Sequence, residues 1–201
     1  MKSLPLIQLK WVLINLSIIV PLLIYLSISL KDIREVQVNY YGPHYSSTDK
    51  FEFIELKEFN NFDKLLDTIE KISCKGRSPL LELIDGNVYK YINLVGICPG
   101  SYMMRPRYRN TLIFNNEQCR IGPSHSSQDL EYILDQFINN PLKREDYSEN
   151  PQKALIYLGY EERSFENLPV FLDRLTDAAE KVGVSRFLNI TLSDKIFPPP
   201  P

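Results

Sequence analysis

Histidine, cysteine and glycine are scarce in this chain. Its 201 residues include two His, three Cys and eight Gly. His44 and His125 stand alone, and Cys74, Cys98 and Cys119 form no CxxC pair. A structural zinc site wants four nitrogen or sulfur ligands at short paired spacings, so this pattern argues against one. No GxxxxGK[ST], GxGxxG or GxSxG occurs, which removes the phosphate loop, the dinucleotide fingerprint and the nucleophile elbow. Ser124-His125-Ser126 reads as a loop leading into a helix, Asp85-Gly86 as a turn and Glu161-Glu162 as a solvated edge. No nucleophile–base set or acid pair is left. The expectation is a protein that is not an enzyme and holds no cofactor or metal.

An excess of positive charge is also missing. Lys plus Arg is 23 and Asp plus Glu is 25, for a net charge of −2. The first thirty residues hold two of the Lys and no acid, so residues 31–201 carry 21 bases against 25 acids, a net −4. Nucleic-acid binders usually show the opposite balance, and no polybasic membrane patch appears. The cysteines leave two readings open: one disulfide with one thiol left over in an oxidising compartment, or three buried thiols. "ICPG" at 97–100 sets no base beside Cys98 to activate it.

What is present in quantity is an uncharged run, "WVLINLSIIVPLLIYLSISL", from Trp11 to Leu30. Twenty residues at about 1.5 Å each match a bilayer core of about 30 Å. Trp11 suits an interface, and Asn15, Ser17, Ser27 and Ser29 are the polar members. Pro21 removes one helical hydrogen bond and crowds the carbonyl of Ser17. Lys2 and Lys10 precede the run, while Lys31 and Arg34 follow it with Asp32 and Glu35. Lys and Arg counts barely choose a side; the short leader and free amine favour an N-terminus in the cytoplasm. The rival is a signal peptide cleaved near Ser27-Ile28-Ser29, but the run is long for an h-region. Either way residues 31–201 are expected outside the cytoplasm.

Further on, "REVQVNYY" reads as a strand before a turn at Gly42-Pro43, and "FEFIEL" (Phe51–Leu56) alternates as a strand does. "FDKLLDTIEKI" carries apolar residues at 62, 65, 66, 69 and 72, a helical stripe. "PLLELIDGNVYKYINLVGIC" predicts two strands about Asp85-Gly86. Pro99–Asn110 reads as a loop between two subregions, with Arg105, Arg107 and Arg109 as a candidate partner-binding cluster beside Tyr102 and Tyr108. Thr111–Gly122 predicts a strand pair turning at Asn115-Asn116. "SSQDLEYILDQFI" predicts a helix capped by Ser, with Leu130, Ile133, Leu134, Phe137 and Ile138 on one face. Ala154–Tyr160 predicts a buried strand. A helix over 165–183 follows, with Pro169 in its first turn and Gly183 as its stop, and then a strand over Ser185–Leu192.

The expected fold is α/β (α+β): an N-terminal transmembrane helix, then a small mixed-sheet domain in the order β-β-α-β-α-β with both helices on one face. The divisions are 1–10 cytoplasmic, 11–30 spanning, 31–104 an extra α/β subregion, 105–193 a second domain outside the cytoplasm and 194–201 an extended Pro-rich tail.

That order behind a single span resembles the ExbD/TolR family of inner-membrane proteins with a periplasmic domain. The resemblance covers roughly 111–192 and the anchor. Its most specific piece is "ALIYLGYEERSFENLPVFLDRLTDAAEKVGVSRFLNITL", including a Gly-x-x-Arg turn from Gly183 to Arg186. It implies a multi-span ExbB/TolQ-type channel partner, a homodimer through the periplasmic domain and a place in the inner membrane, with residues 105–193 in the periplasm. In the family an Asp three residues after the membrane Pro takes up and releases protons. Here Pro21 is followed at that position by Ile24, which binds no proton. Tyr25 is adjacent, but a phenol is a poor substitute for a carboxylate as a proton carrier. The resemblance therefore implies an accessory or stator-like subunit that does not itself carry protons. The alternative is an anchored or secreted cell-envelope binding module without a proton-driven partner.

Overall fold

The computed structural model describes residues 17–23, 25, 36–43, 51–96, 98, 110–119, 129–145, 147–160 and 162–194. It divides into two units, 1–37 and 38–201. In the first, residues 17–23 and 25 are helical. Among the described residues no helix is long and apolar enough to cross a membrane. Most of the run from Trp11 to Leu30 lies outside them.

The second unit has mixed α/β architecture with two four-stranded mixed sheets. The first is built from β1 (Gln37–Tyr41), β2 (Phe51–Glu55), β3 (Ser78–Asp85) and β4 (Val88–Asn93), in the spatial order β1-β4-β3-β2. Helix α1 (Phe62–Cys74) links β2 to β3, which run parallel as a helical crossover allows. Asn61 caps α1 by accepting from the Lys64 amide, and Phe62, Leu65, Ile69 and Ile72 are its buried stripe. β3 and β4 form an antiparallel hairpin whose last pair is Asp85 with Val88.

The second sheet contains β5 (Thr111–Asn115), β6 (Gln118–Cys119), β7 (Leu155–Gly159) and β8 (Ile190–Ser193), ordered β6-β5-β7-β8. β5, β7 and β8 are parallel and β6 is antiparallel. The connections run through α2 (Leu130–Leu134, continued by a π turn at Asp135–Asn139) and α3 (Leu168–Lys181). α2 and α3 pack against each other, with Lys181 of α3 donating to Glu131 of α2 at 2.6 Å, as two helices on one face of the sheet do. The element order from residue 111 is β-β-α-β-α-β. Phe171 of α3 meets Phe114 of β5 edge-on at 5.2 Å, which fixes the apolar side of that helix against the sheet.

Several expected boundaries move. The β5–β6 turn sits at Asn116 and Glu117, which take the positive φ, rather than at Asn115-Asn116. Asn115 stays in the sheet because it pairs with Gly159 in register. The cap of α2 is Asp129, which accepts from the Tyr132 amide, rather than a Ser. Ser185–Phe187 is a 3₁₀ turn, so the closing strand starts at Ile190. The Ser185 carbonyl is occupied by the Gly42 amide at 2.9 Å.

The two sheets share one hydrophobic core. Leu94 bridges Ile190 of β8, and the Val95 amide donates to the Ile190 carbonyl at 2.7 Å. Just beyond, Gly96 crosses α1. A Cβ there would lie 1.8 Å from Ser73 Oγ and 2.8 Å from Ser73 Cβ. Only glycine allows this approach, and the approach delivers Cys98 to Cys74, where the two form a disulfide. Cys119 is free and buried. Of the two sequence readings, the pair plus one thiol is the one realised.

A bridge closing 24 residues stabilises by about 3 kcal/mol in the chain-entropy account. Cys98→Ser is therefore expected to lower the unfolding free energy by about that amount. Gly96→Ala is expected to destabilise by about 1–3 kcal/mol and to leave part of the protein with free thiols. Denaturant unfolding and thiol alkylation under non-reducing conditions check both.

Candidate binding surface

Strand alternation gives the first sheet two unlike faces. In register, positions 51, 53 and 55 of β2 lie beside 78, 80 and 82 of β3, and 82 and 84 lie beside 91 and 89 of β4. With Val38 and Tyr40 of β1, these side chains point away from the core. Tyr40 and Tyr91 stack at 5.2 Å, and Phe53 meets Tyr91 edge-on at 5.5 Å. The Phe53 and Tyr91 rings lean together across β3, whereas Leu80 and its β4 partner Asn93, on the same side, are buried. Phe53 is 60% exposed, Tyr40 52% and Ile84 47%. Contiguous apolar surface of this kind marks an interaction site more often than scattered single residues do.

The opposite face is held by charge. Lys90 of β4 is 5% exposed, and its Nζ donates to Asp173 at 2.6 Å and to Asp177, one turn apart on α3. Burial draws the Lys90 pKa down, but the hydrogen bonds to Asp173 and Asp177 outweigh it and the value ends raised. The Tyr41 hydroxyl donates to Glu180 on the same helix, as does Asn39 Nδ2 at 2.9 Å. Burial, helped by the Glu180 contact, pushes the Tyr41 phenol up. These contacts latch α3 to β1 and β4.

The latch limits the chemistry. Lys90 is an ammonium bound by two carboxylates, not a free amine. Burial pushes the Cys119 thiol up to about 12, so it is protonated at neutral pH and a poor nucleophile. No group of three or more His, Cys, Asp or Glu suited to a metal occurs among the described residues.

At the end of the open face lies a cleft of about 460 Å³, within the usual range for ligand sites. It forms because β2 stops at Glu55, opposite Glu82, and the chain turns away through the 3₁₀ segment Leu56–Glu58. Leu83, Ile84 and Asp85 then pair with β4 alone among the described strands. Phe59 and Leu56 line one wall, and Phe165, Glu166 and Pro169, around the start of α3, line the other. Glu55 and Glu82 complete the rim, and Lys57 is tied to Glu55 at 2.9 Å.

Pro21 and Tyr25 lie on helical backbone in the first unit. Asn15, Ile24, Arg105, Arg107 and Arg109 lie outside the described residues. The open face did leave a signal: "VQVNYY", "FEFIE" and "VYKYIN" place aromatic or apolar groups on both strand parities. No protein-family model, curated protein or solved structure matches the chain.

The raised values have one consequence for stability. A raised folded pKa contributes fully below the group's ordinary value and is lost as pH rises towards the folded one. For Cys119 that window opens at 9.0 and closes at about 12. Lys90 and Tyr41 act in the same direction above 10.5 and 10.0. Urea midpoints are expected to hold steady to about pH 9 and then fall, with Cys119→Ala removing the earliest part of the fall. Asp173→Asn with Asp177→Asn strands the ammonium and is expected to cost about 3 kcal/mol at neutral pH.

Proposed function

We propose that the chain is a non-catalytic binding module of the cell envelope, tethered by residues 11–30 in the inner membrane with residues 31–201 outside the cytoplasm. The observation that carries this reading is the uncovered aromatic face of the first sheet, with Phe53 and Tyr40 more than half exposed. A chain of this composition can bury such rings, so leaving them open has a use in contact with a partner. The Cys74–Cys98 disulfide supports the compartment, because such bonds persist in oxidising surroundings and are rare in the cytosol. The engaged Lys90 and the protonated Cys119 support a role without chemistry.

A second reading is an accessory, stator-like subunit of an ExbB–ExbD-type complex. The β-β-α-β-α-β order from residue 111, with both helices on one face, favours it. Ile24 in place of the family's proton-carrying Asp would make that subunit passive. A homodimer through the extracytoplasmic domain belongs to this reading.

The two part in one experiment: capture of a C-terminally tagged chain from native membranes, with mass spectrometry of the recovered proteins. The binding-module reading expects residues 1–30 to be retained, Cys74 and Cys98 to resist alkylation, and partner recovery to fall at least about fivefold in a Tyr40→Ser, Phe53→Ser variant, a loss near 1 kcal/mol. A multi-span subunit recovered in fixed ratio, whatever the state of that face, selects the second reading. A mature chain starting near Lys31 removes the tether from both.

A further inference from the structure

We infer that the cleft beside β3 is a docking site for an extended basic peptide, which adds as a short strand to β3 and sets a Lys or Arg side chain among Glu55, Glu82 and Glu166. This rests on the binding-module reading and names the ligand class of one part of its surface. Three observations converge on it.

The first is the strand edge. Pairing between β2 and β3 ends at Glu55 and Glu82, so among the described strands the last three residues of β3 continue with a partner on one side only. An extended peptide satisfies such an edge with main-chain hydrogen bonds, and alternate side chains then enter whatever pockets flank it. The second is shape. The cleft opens along that edge, has a volume of about 460 Å³ and is walled by Phe59, Phe165 and Pro169. Those walls suit the methylene stem of a long cationic side chain, which covers apolar surface while its head reaches polar groups.

The third is charge. Three carboxylates line the cleft against one ammonium, and Lys57 is already paired with Glu55 at 2.9 Å. Lys57 also feels Glu82, but one ammonium cannot neutralise three carboxylates, so the site keeps a negative sign. Glu82 also acts on the neighbouring Tyr91 phenol, but a carboxylate has about four lone-pair sites and keeps room for a guest. Complementary charge of this kind selects partners and speeds encounter. An acidic peptide would meet repulsion at the same place.

The test is fluorescence anisotropy on the full chain in detergent micelles. The probe is a labelled hexapeptide alternating valine and lysine; the controls are its valine–glutamate counterpart and an N-methylated copy that cannot pair as a strand. The expected result is saturable binding of the lysine peptide and at least about tenfold weaker binding of both controls, a difference of 1.4 kcal/mol. Glu82→Gln with Glu166→Gln is expected to weaken the lysine peptide by a similar factor, as is raising the salt to about 1 M. Glu166→Lys, at an exposed position, serves if the double variant folds poorly. Equal binding of lysine and glutamate peptides, no binding of any, or binding that ignores these variants overturns the proposal. Failure here leaves membrane retention untouched, whereas loss of residues 1–30 in cells leaves peptide binding untouched, so the two ideas fail separately.

Discussion

Helix α3 belongs to two layers at once, and the arrangement of the molecule depends on how it manages this. One side carries Phe171, Leu172, Leu175, Ala178 and Ala179 into the core. The other carries Asp173, Asp177 and Glu180 to Lys90, Tyr41 and Asn39. The two kinds of contact differ in what they supply. Fully burying a Leu or Phe contributes about 1.5–3 kcal/mol, so the apolar side provides most of the stability. The ion latch gives back in Coulomb energy roughly what desolvating the ammonium costs, and its net contribution is small. It fixes position instead. A lysine 5% exposed tolerates little displacement from two carboxylates spaced one turn apart. The latch sets the register of α3 on β4 and so decides which face of the first sheet is inside.

That decision leaves the aromatic face exposed. Once the Tyr41 and Lys90 parity is turned to α3, the Tyr40 and Tyr91 parity must face outward, because strand side chains alternate. In this chain both parities are rich in aromatic and apolar groups, so a one-residue slip would swap one greasy face for another at little hydrophobic cost. The buried ammonium breaks the tie. Placing Lys90 outside and Tyr91 inside would leave Asp173 and Asp177 against apolar surface. The same charge that precludes lysine chemistry thus keeps the outer rings available.

The sequence was legible where its period was clean. The stripe from Phe62 to Ile72, the hairpin about Gly86 and the Pro169–Gly183 bounds of α3 all came from spacing and punctuation alone. It was less legible where a tertiary contact overrode local preference. Ser185 looked like the start of a strand, but its carbonyl is drawn into a bond with Gly42 far away in the chain. The turn at Asn116 and Glu117 slipped one residue because Asn115 is held in register by Gly159. Cysteine pairing was out of reach, since spacing says nothing about Gly96 passing over Ser73. The cleft was invisible for a similar reason: Glu55, Glu82 and Glu166 are scattered over more than a hundred positions and meet only because β2 ends early. Lys90 did leave a trace, as a charge at a core-facing parity in "VYKYIN", and a helix with acids at i and i+4 was its natural complement.

The early end of β2 and the disulfide bear on each other. A sheet edge left open is a hazard, and proteins usually blunt it with charge or cover it. Here the part of β3 without a described strand on its β2 side is three residues long and is flanked by carboxylates, which discourages pairing with a second acidic edge of the same kind. The strand itself is held in place from behind. The Leu94 amide bonds to the Pro79 carbonyl at the start of β3, and Cys98, four residues further on, is fastened to α1. With β4 paired along its length and α1 fixed at its far end, the open edge has little freedom to rearrange. A short, rigid, acidic edge is the setting in which the inferred basic strand would have to pair, and the cross-link that helps to hold it is a bond that persists in oxidising surroundings.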